Sequence, residues 1–281
     1  MQYTPVPVNF YLPCEQAGTL QTFTYSSESY DDAHEPLTKQ AVVYLPFGYD
    51  AEPERRYPVL YLMHGGGGNE NDFWNVDSDE APLKNLIDQS IASGRAQKMI
   101  VVTPSFNAGD RKNVHAGDAC LLTHRFPKEL HNDLIPAIDA AFRTVPDRRA
   151  RSFGGFSMGA EATWSAMAWA LGDIGTFLPF SGDFWIIRMR GGRECTKETV
   201  DALTASIRES GFSPKDYRVF AFTGDQDIAY EAMDPMIAEL KTRGEFFSDA
   251  NLDYCLKPDG LHRYADVAGY IRLALPKLGV F

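Results

Sequence analysis

Short apolar runs alternate with longer amphipathic segments along most of the chain. The runs rich in β-branched and aromatic residues predict strands at 20–25, 41–46, 59–63, 99–103, 152–156, 175–180, 217–223 and 252–256. Helical periodicity between them predicts helices at about 82–93, 127–142, 158–171, 197–210, 230–243 and 264–275. This alternation predicts an α/β fold with a mostly parallel sheet, helices on both faces and an antiparallel edge formed by the first two strands.

The helix predicted at 127–142 contains a proline. Its apolar face carries Leu130, Leu134, Ile138 and Phe142 at a spacing of four residues. Pro136 lies inside this pattern and predicts a bend or a break, because proline has no N–H to donate within a helix.

Two stretches without clear periodicity follow predicted strands, at 105–123 and 184–195. Ligands of open α/β sheets bind at the carboxyl ends of the strands, so both stretches are candidate pocket walls. The first contains Phe106, Asn107, Asn113 and His115, and the second contains Trp185, Arg188, Met189 and Arg190. Trp185 follows Asp183 by two residues and would suit an aromatic ligand by stacking, with core packing as the alternative.

Composition and charge exclude several classes of protein. The chain has 281 residues, 44% of them hydrophobic, which is enough for one domain over 1–281. A net charge of −11 argues against nucleic acid or an anionic membrane as a partner. No window approaches the ~20 apolar residues of a membrane span. The first residues lack a secretory leader, so we expect a cytoplasmic protein, or a secreted one whose leader is not part of this chain.

The four cysteines are widely spaced, which indicates separate thiols and no zinc site. The sequence leaves open whether any of them pair and what the oligomeric state is.

The sequence Gly-Phe-Ser-Met-Gly at 155–159 lies between a predicted strand and a predicted helix. This context is typical of a nucleophile elbow, in which a sharp turn exposes the serine hydroxyl and glycines avoid clashes on either side. The following helix directs its first N–H groups toward a developing oxyanion. Ser157 is therefore a candidate nucleophile.

A second glycine-rich segment, His-Gly-Gly-Gly-Gly at 64–68, follows the apolar strand at 59–63. Glycines allow backbone N–H groups to approach a substrate oxygen, and hydrolases place one oxyanion donor in such a loop. His64 precedes the serine in the chain, so we interpret it as orienting this loop and do not expect it to be the catalytic base.

The order of residues after Ser157 fits a triad of the order Ser, acid, His. His262 is the only histidine after Ser157, and it lies in a turn-rich loop before the last helix. Asp225 and Asp227 both lie in the loop after the strand at 217–223. From the residues alone either could be the acid, and the other could cap the helix that begins near Tyr230.

Taken together, these motifs resemble the feruloyl (cinnamoyl) esterases of carbohydrate esterase family one, which belong to the esterase D-like group of the α/β-hydrolase superfamily. The resemblance is greatest to enzymes of xylan-degrading gut bacteria and covers nearly the whole chain. It includes the segments at 14–19, 44–49, 61–72, 155–159, 181–183 and 227–230. The chain departs from the family at 261–264, where Leu-His-Arg-Tyr replaces the usual Gly-His-Asp and tryptophan.

The resemblance implies an α/β-hydrolase fold and a serine esterase acting on hydroxycinnamate esters of plant cell-wall polysaccharides or small conjugates. It implies Ser157 as nucleophile, Asp227 as acid and His262 as base. The implied oxyanion donors are the N–H groups of Met158 and of Gly65 or Gly66, and no metal or organic cofactor is expected. The residues expected to bind substrate are Trp185, Asp183, His64 and Phe106.

Three alternatives remain at this stage. An acetyl xylan esterase or an S-formylglutathione hydrolase would use the same triad on a small acyl group. A non-catalytic carbohydrate-binding module could also occupy a hydrolase scaffold, because the fold alone does not establish activity.

Overall fold

The computed structural model describes residues 1–74, 83–107 and 116–279, with side chains described from 119 in the last of these ranges. Its strands are β1 Thr19–Glu28, β2 Pro36–Leu45, β3 Val59–Met63, β4 Ile100–Thr103, β5 Arg151–Phe156, β6 Thr176–Phe180, β7 Arg218–Gly224 and β8 Leu252–Lys257. Its helices are α1 Leu83–Ala92, α2 Ala116–Glu129, α3 Ile135–Ala141, α4 Met158–Trp169, α5 Gly191–Glu194, α6 Thr196–Ser210, α7 Tyr230–Lys241 and α8 Tyr264–Ala274. Short 3₁₀ turns occur at Val8–Tyr11, Arg148–Ala150 and Leu275–Lys277. Among the described residues, no helix has the length and apolar character needed to span a bilayer.

The strands form one sheet in the order β1-β2-β4-β3-β5-β6-β7-β8. β1 and β2 are antiparallel, and the strands from β4 to β8 pair in parallel. This arrangement confirms the predicted mostly parallel sheet with an antiparallel edge. The register pairs Met63 with Gly155 and Phe156 with Phe180, so the loops that follow β3, β5 and β6 emerge side by side.

Alternate side chains along the strands enter two separate cores. On β3, Tyr61 and Met63 belong to the core under α2, α4, α6 and α7, whereas Leu60 and Leu62 belong to the core under α1 and α8. Both faces of the strand are therefore apolar, as expected for a parallel strand covered on both sides.

The prediction of a helix starting at 127, after an irregular stretch at 105–123, was wrong. α2 begins at Ala116, and Ala119, Thr123 and Phe126 are buried at helical spacing. Pro127 is tolerated inside α2. Asn113 and His115, which were candidate residues of the same stretch, lie outside the described residues.

Pro136 was predicted to bend or break the helix, and it lies next to a change of helix type in a backbone that stays helical. A π-helical segment, Leu130–Leu134, separates α2 from α3, and Pro136 lies in the first turn of α3. The helical hydrogen bonding continues up to this point, since the Ile135 N–H donates to the Leu130 carbonyl, and Pro136, which has no N–H to donate, follows directly.

Candidate active site

Ser157 lies on a sharp turn between β5 and α4. Its backbone has φ 58° and ψ −115°, and its N–H donates to the Phe180 carbonyl at 3.0 Å. A Cβ at Gly155 would lie 2.5 Å from the Gly159 carbonyl oxygen, and a Cβ at Gly159 would lie 2.2 Å from that of Met63. Both positions therefore require glycine, as the elbow motif predicts.

Three side chains from three different loops form one hydrogen-bonded series. Ser157 Oγ lies 2.9 Å from His262 Nε2, and His262 Nδ1 lies 2.7 Å from Asp227 Oδ1. The Asp227 carboxylate is buried and also accepts the Ala229 N–H at 2.8 Å. With its proton on Nδ1, His262 presents an unprotonated Nε2 to the serine hydroxyl, which is the arrangement a general base needs.

The structure distinguishes the two candidate aspartates by their contacts. Asp227 contacts His262, whereas Asp225 has an N–H bonded to the Lys257 carbonyl and a buried Oδ1 without a partner among the described residues. The two residues lie in the same loop, so the spacing in the sequence did not separate them.

His64 lies beneath the glycine loop. It is fully buried, its Nδ1–H donates to the Gly65 carbonyl at 2.7 Å, and its Nε2 accepts from the Ser105 hydroxyl at 2.8 Å. Burial lowers the pKa of the imidazole, which favours the neutral form that these two bonds require. The interpretation that His64 orients the loop agrees with these contacts, whereas a direct contact with substrate does not, because the side chain is covered.

Hydrogen bonds fix the peptide units on both sides of Gly65. The Gly65 N–H donates to the Tyr264 hydroxyl at 3.1 Å. The Gly65 carbonyl points to His64, and the N–H of Gly66 belongs to the same trans peptide unit, so that N–H points the opposite way. A Cβ at Gly66 would lie 2.8 Å from Met158 Sδ, so Gly66 is adjacent to the first residue of α4. Of the two candidate donors, Gly66 is the one whose N–H has no partner among the described residues.

The segment after β6 leaves the sheet beside the elbow. A Cβ at Gly182 would lie 2.7 Å from the Ser157 carbonyl oxygen. Asp183 is buried and accepts the Trp185 indole N–H at 3.0 Å and the Gly192 N–H at 2.8 Å. Burial raises the pKa of Asp183. Its position supports the orientation of Trp185, which is itself partly exposed.

Asp183 and Phe106 therefore differ from their predicted role as substrate contacts. Phe106 is 3% exposed, and its ring packs against His64 at a centroid distance of 4.3 Å. Both side chains are covered by the protein and act as supports, so of the four predicted substrate-binding residues Trp185 alone presents a partly exposed surface. Exposure depends on which segments pack over a side chain, and a sequence pattern does not specify that.

Sequence reasoning missed Tyr264 and Asp72, two residues that hold the glycine loop. The Tyr264 hydroxyl donates to Asp72 Oδ2 at 3.1 Å while accepting the Gly65 N–H. The Tyr264 ring packs edge-to-face against Phe156 and Phe73. The departure from the family pattern at 261–264 was the available signal for Tyr264.

The described residues contain no group of three or more His, Cys, Asp or Glu side chains placed to hold a metal ion.

A family model described as an esterase matches residues 38–237 of this chain. The chain belongs to this esterase family. The match runs from within β2 to within α7 and therefore includes both Ser157 and Asp227, while His262 lies beyond it.

Two individual relatives are also similar to this esterase in sequence. Endo-1,4-beta-xylanase Y of Acetivibrio thermocellus is 34% identical over 98% of the chain and 24% of its own length. An endo-1,4-beta-xylanase/feruloyl esterase of Xylanibacter ruminicola is 35% identical over 58% of the chain and 22% of its own length. The chain thus spans about a quarter of the length of these relatives.

A solved structure extends the comparison to the fold. A mutant of the feruloyl esterase module from Clostridium thermocellum, complexed with sinapinate, is 34% identical with a TM-score of 0.83. The alignment covers 99% of this chain and 94% of that one. The predicted resemblance to feruloyl esterases and the predicted α/β-hydrolase fold are both confirmed.

Proposed function

We propose that this esterase hydrolyses hydroxycinnamate esters of plant cell-wall polysaccharides or related small conjugates through an acyl-enzyme on Ser157. The observation that carries the proposal is the hydrogen-bonded series from Ser157 through His262 to the buried Asp227. A serine hydroxyl becomes an effective nucleophile when a neighbouring base accepts its proton.

In the acylation step, Ser157 Oγ attacks the ester carbonyl carbon as its proton passes to His262 Nε2. The Asp227 carboxylate accepts the Nδ1–H, which fixes the imidazole tautomer and stabilises the imidazolium that forms. Asp227 orients the imidazole and does not itself take up the proton in this step.

The tetrahedral intermediate places negative charge on the former carbonyl oxygen. Met158 is the first residue of α4, so its N–H has no acceptor within the helix and is free to donate. The Gly66 N–H, which points away from His64, is the second donor. Donors of this kind are worth about 2.7–4 kcal/mol each in transition-state stabilisation.

Collapse of the intermediate breaks the bond to the alcohol oxygen, which takes the proton from His262 and leaves. Water then enters, gives a proton to His262 and attacks the acyl carbon, so the hydroxycinnamate is released and Ser157 regains its proton. Each proton that His262 accepts is returned within the same half-reaction.

The acyl group is proposed from two observations. The similar Clostridium module was solved with sinapinate, a hydroxycinnamate, and the Xylanibacter relative is named a feruloyl esterase. In this chain, Trp185 provides a partly exposed aromatic surface whose indole N–H is held by Asp183, in the segment next to the elbow. A flat aromatic acyl group fits such a surface by stacking.

The competing functions predict different substrate profiles. An acetyl xylan esterase or an S-formylglutathione hydrolase would turn over acetyl or formyl esters and leave methyl ferulate intact. A non-catalytic module would hydrolyse none of them, and its Ser157→Ala variant would be indistinguishable from the wild type.

The decisive experiment compares turnover of methyl ferulate, methyl p-coumarate and an acetyl ester by wild type and by Ser157→Ala. We expect hydrolysis of the hydroxycinnamate esters, and a loss of about 10⁴-fold or more in the variant. Circular dichroism checks that the variant is folded. Near-wild-type turnover by folded Ser157→Ala would contradict the serine mechanism, and activity confined to the acetyl ester would contradict the hydroxycinnamate assignment.

A further inference from the structure

The glycine loop after β3 is held from beneath and from the side. From beneath, His64 binds the Gly65 carbonyl and Ser105, which follows β4. From the side, the Tyr264 hydroxyl accepts the Gly65 N–H and donates to Asp72. Tyr264 is the first residue of α8 and lies two positions after His262, so it connects the loop of the base to the glycine loop.

The two holds act on successive peptide units. The His64 contact fixes the unit that contains the Gly66 N–H, and the Tyr264 contact fixes the unit before it, which contains the Gly65 N–H. Glycine offers little resistance to rotation about φ and ψ, so a single fixed unit would leave the loop free to turn about Gly65. With both units fixed, the Gly66 N–H has one direction.

Asp72 completes the arrangement on the far side of the loop. Its carboxylate lies against Gly68, where an added Cβ would be 2.0 Å from Asp72 Oδ2 and 3.0 Å from His64 Nδ1. The Asn107 side chain donates to the Gly68 carbonyl at 2.9 Å. The phenol of Tyr264 therefore bridges the start of the loop, at Gly65, to a residue that encloses its end.

We propose that Tyr264 is a positioning residue that keeps the Gly66 N–H directed at the oxyanion through its paired hydrogen bonds to Gly65 and Asp72. This role rests on the proposed serine mechanism. Because the oxyanion is common to all esters, Tyr264 acts on every acyl group equally, in contrast to a residue that recognises the hydroxycinnamate ring.

Tyr264→Phe tests the proposal, because it keeps the ring against Phe156 and Phe73 and removes both hydrogen bonds. We expect kcat to fall about tenfold or more with KM within about twofold, and by the same factor for methyl ferulate and for p-nitrophenyl acetate. The matched control is Tyr57→Phe, a buried tyrosine whose hydroxyl has no partner among the described residues, and it should leave kcat unchanged.

A second measurement separates positioning from a general loss of structure. An arylboronic acid forms a tetrahedral adduct with a serine and places an oxygen among the oxyanion donors, so its affinity should fall in Tyr264→Phe by the same factor as kcat/KM. The affinity for ferulate, a ground-state product, should stay the same. Parallel weakening of both ligands would overturn the proposal.

A double-mutant cycle tests the bridge itself. Asp72→Ala should lower kcat in the same direction, and the double variant should lose less than the product of the two single effects, because one bridge is removed twice. Multiplicative losses, or wild-type kcat in Tyr264→Phe, would overturn the proposal. Ser157→Ala, assayed alongside, separates the proposed function from the role of Tyr264. Activity of folded Ser157→Ala would contradict the proposed function. An inactive Ser157→Ala beside a fully active Tyr264→Phe would contradict the role of Tyr264 alone.

Discussion

At the residue scale, the chemistry depends on which carboxylate contacts the imidazole. Asp227→Asn should lower kcat by about 10⁴-fold, because an amide at this position favours the wrong tautomer of His262. Asp225→Asn is the matched control from the same loop and should be much milder. Steady-state kinetics on methyl ferulate checks both variants, and the reverse ranking would show that Asp225 orients the base.

The aromatic surface beside the elbow can be tested in the same way. Trp185→Ala should weaken kcat/KM for feruloyl esters by about 1–3 kcal/mol and affect an acetyl ester much less, because the short acyl group does not reach the indole. Trp169→Ala is the control, since Trp169 is 46% exposed but lies at the far end of α4 from Ser157. Equal losses on both esters would indicate a structural tryptophan.

At the scale of elements, the elbow depends on how closely α4 approaches β3. Gly159→Ala would place a methyl group 2.2 Å from the Met63 carbonyl oxygen and 2.8 Å from that of His64, so the helix and the strand would have to separate. We expect the free energy of unfolding to fall by about 1–3 kcal/mol, as in overpacked cores.

Urea unfolding measures this change, with Gly172→Ala as control. An added Cβ at Gly172 meets nothing within 4 Å, so that variant should stay within about 0.5 kcal/mol of the wild type. The two glycines lie at opposite ends of the α4 segment, and equal effects of the two substitutions would contradict the steric argument.

At the scale of the whole molecule, His64 makes stability depend on pH. Its pKa is lowered in the folded protein, so below about pH 6.5 the unfolded chain binds more protons than the folded one. The stability that neutral His64 contributes is fully present above this pH, and it is lost as the pH falls toward the lowered pKa of the folded protein. Burial raises the pKa of Glu129, Glu161 and Asp183. These three carboxyl groups therefore make stability fall as the pH rises, which is opposite to the effect of His64.

A comparison with His64→Gln isolates the histidine, since the buried carboxylates are common to both proteins. The stability advantage of wild type over His64→Gln should shrink between about pH 7 and pH 5, as measured by urea unfolding. An advantage that stays constant over this range would show that His64 does not titrate differently in the two states.

The sequence determined the features that short segments specify by themselves. Apolar runs predicted the eight strands, and their alternation with helical segments predicted a mostly parallel sheet whose first two strands form an antiparallel edge, because backbone preference and burial repeat within a few residues. The elbow glycines marked Ser157 as the candidate nucleophile, and the only histidine after it in the chain marked the candidate base. The start of α2 was missed although its buried residues have helical spacing, because polar residues and Pro127 obscured the pattern.

The tertiary structure decided the contacts between segments that are distant in the chain. Ser157 and His262 are 105 residues apart, and Gly65 and Tyr264 are 199 apart. The selection of Asp227 over Asp225, the direction of the Gly66 N–H and the burial of His64 all depend on such contacts. A hydrogen bond has a direction that is fixed only when both partners are in place, so a local pattern names the residues able to form it and the fold determines which of them do.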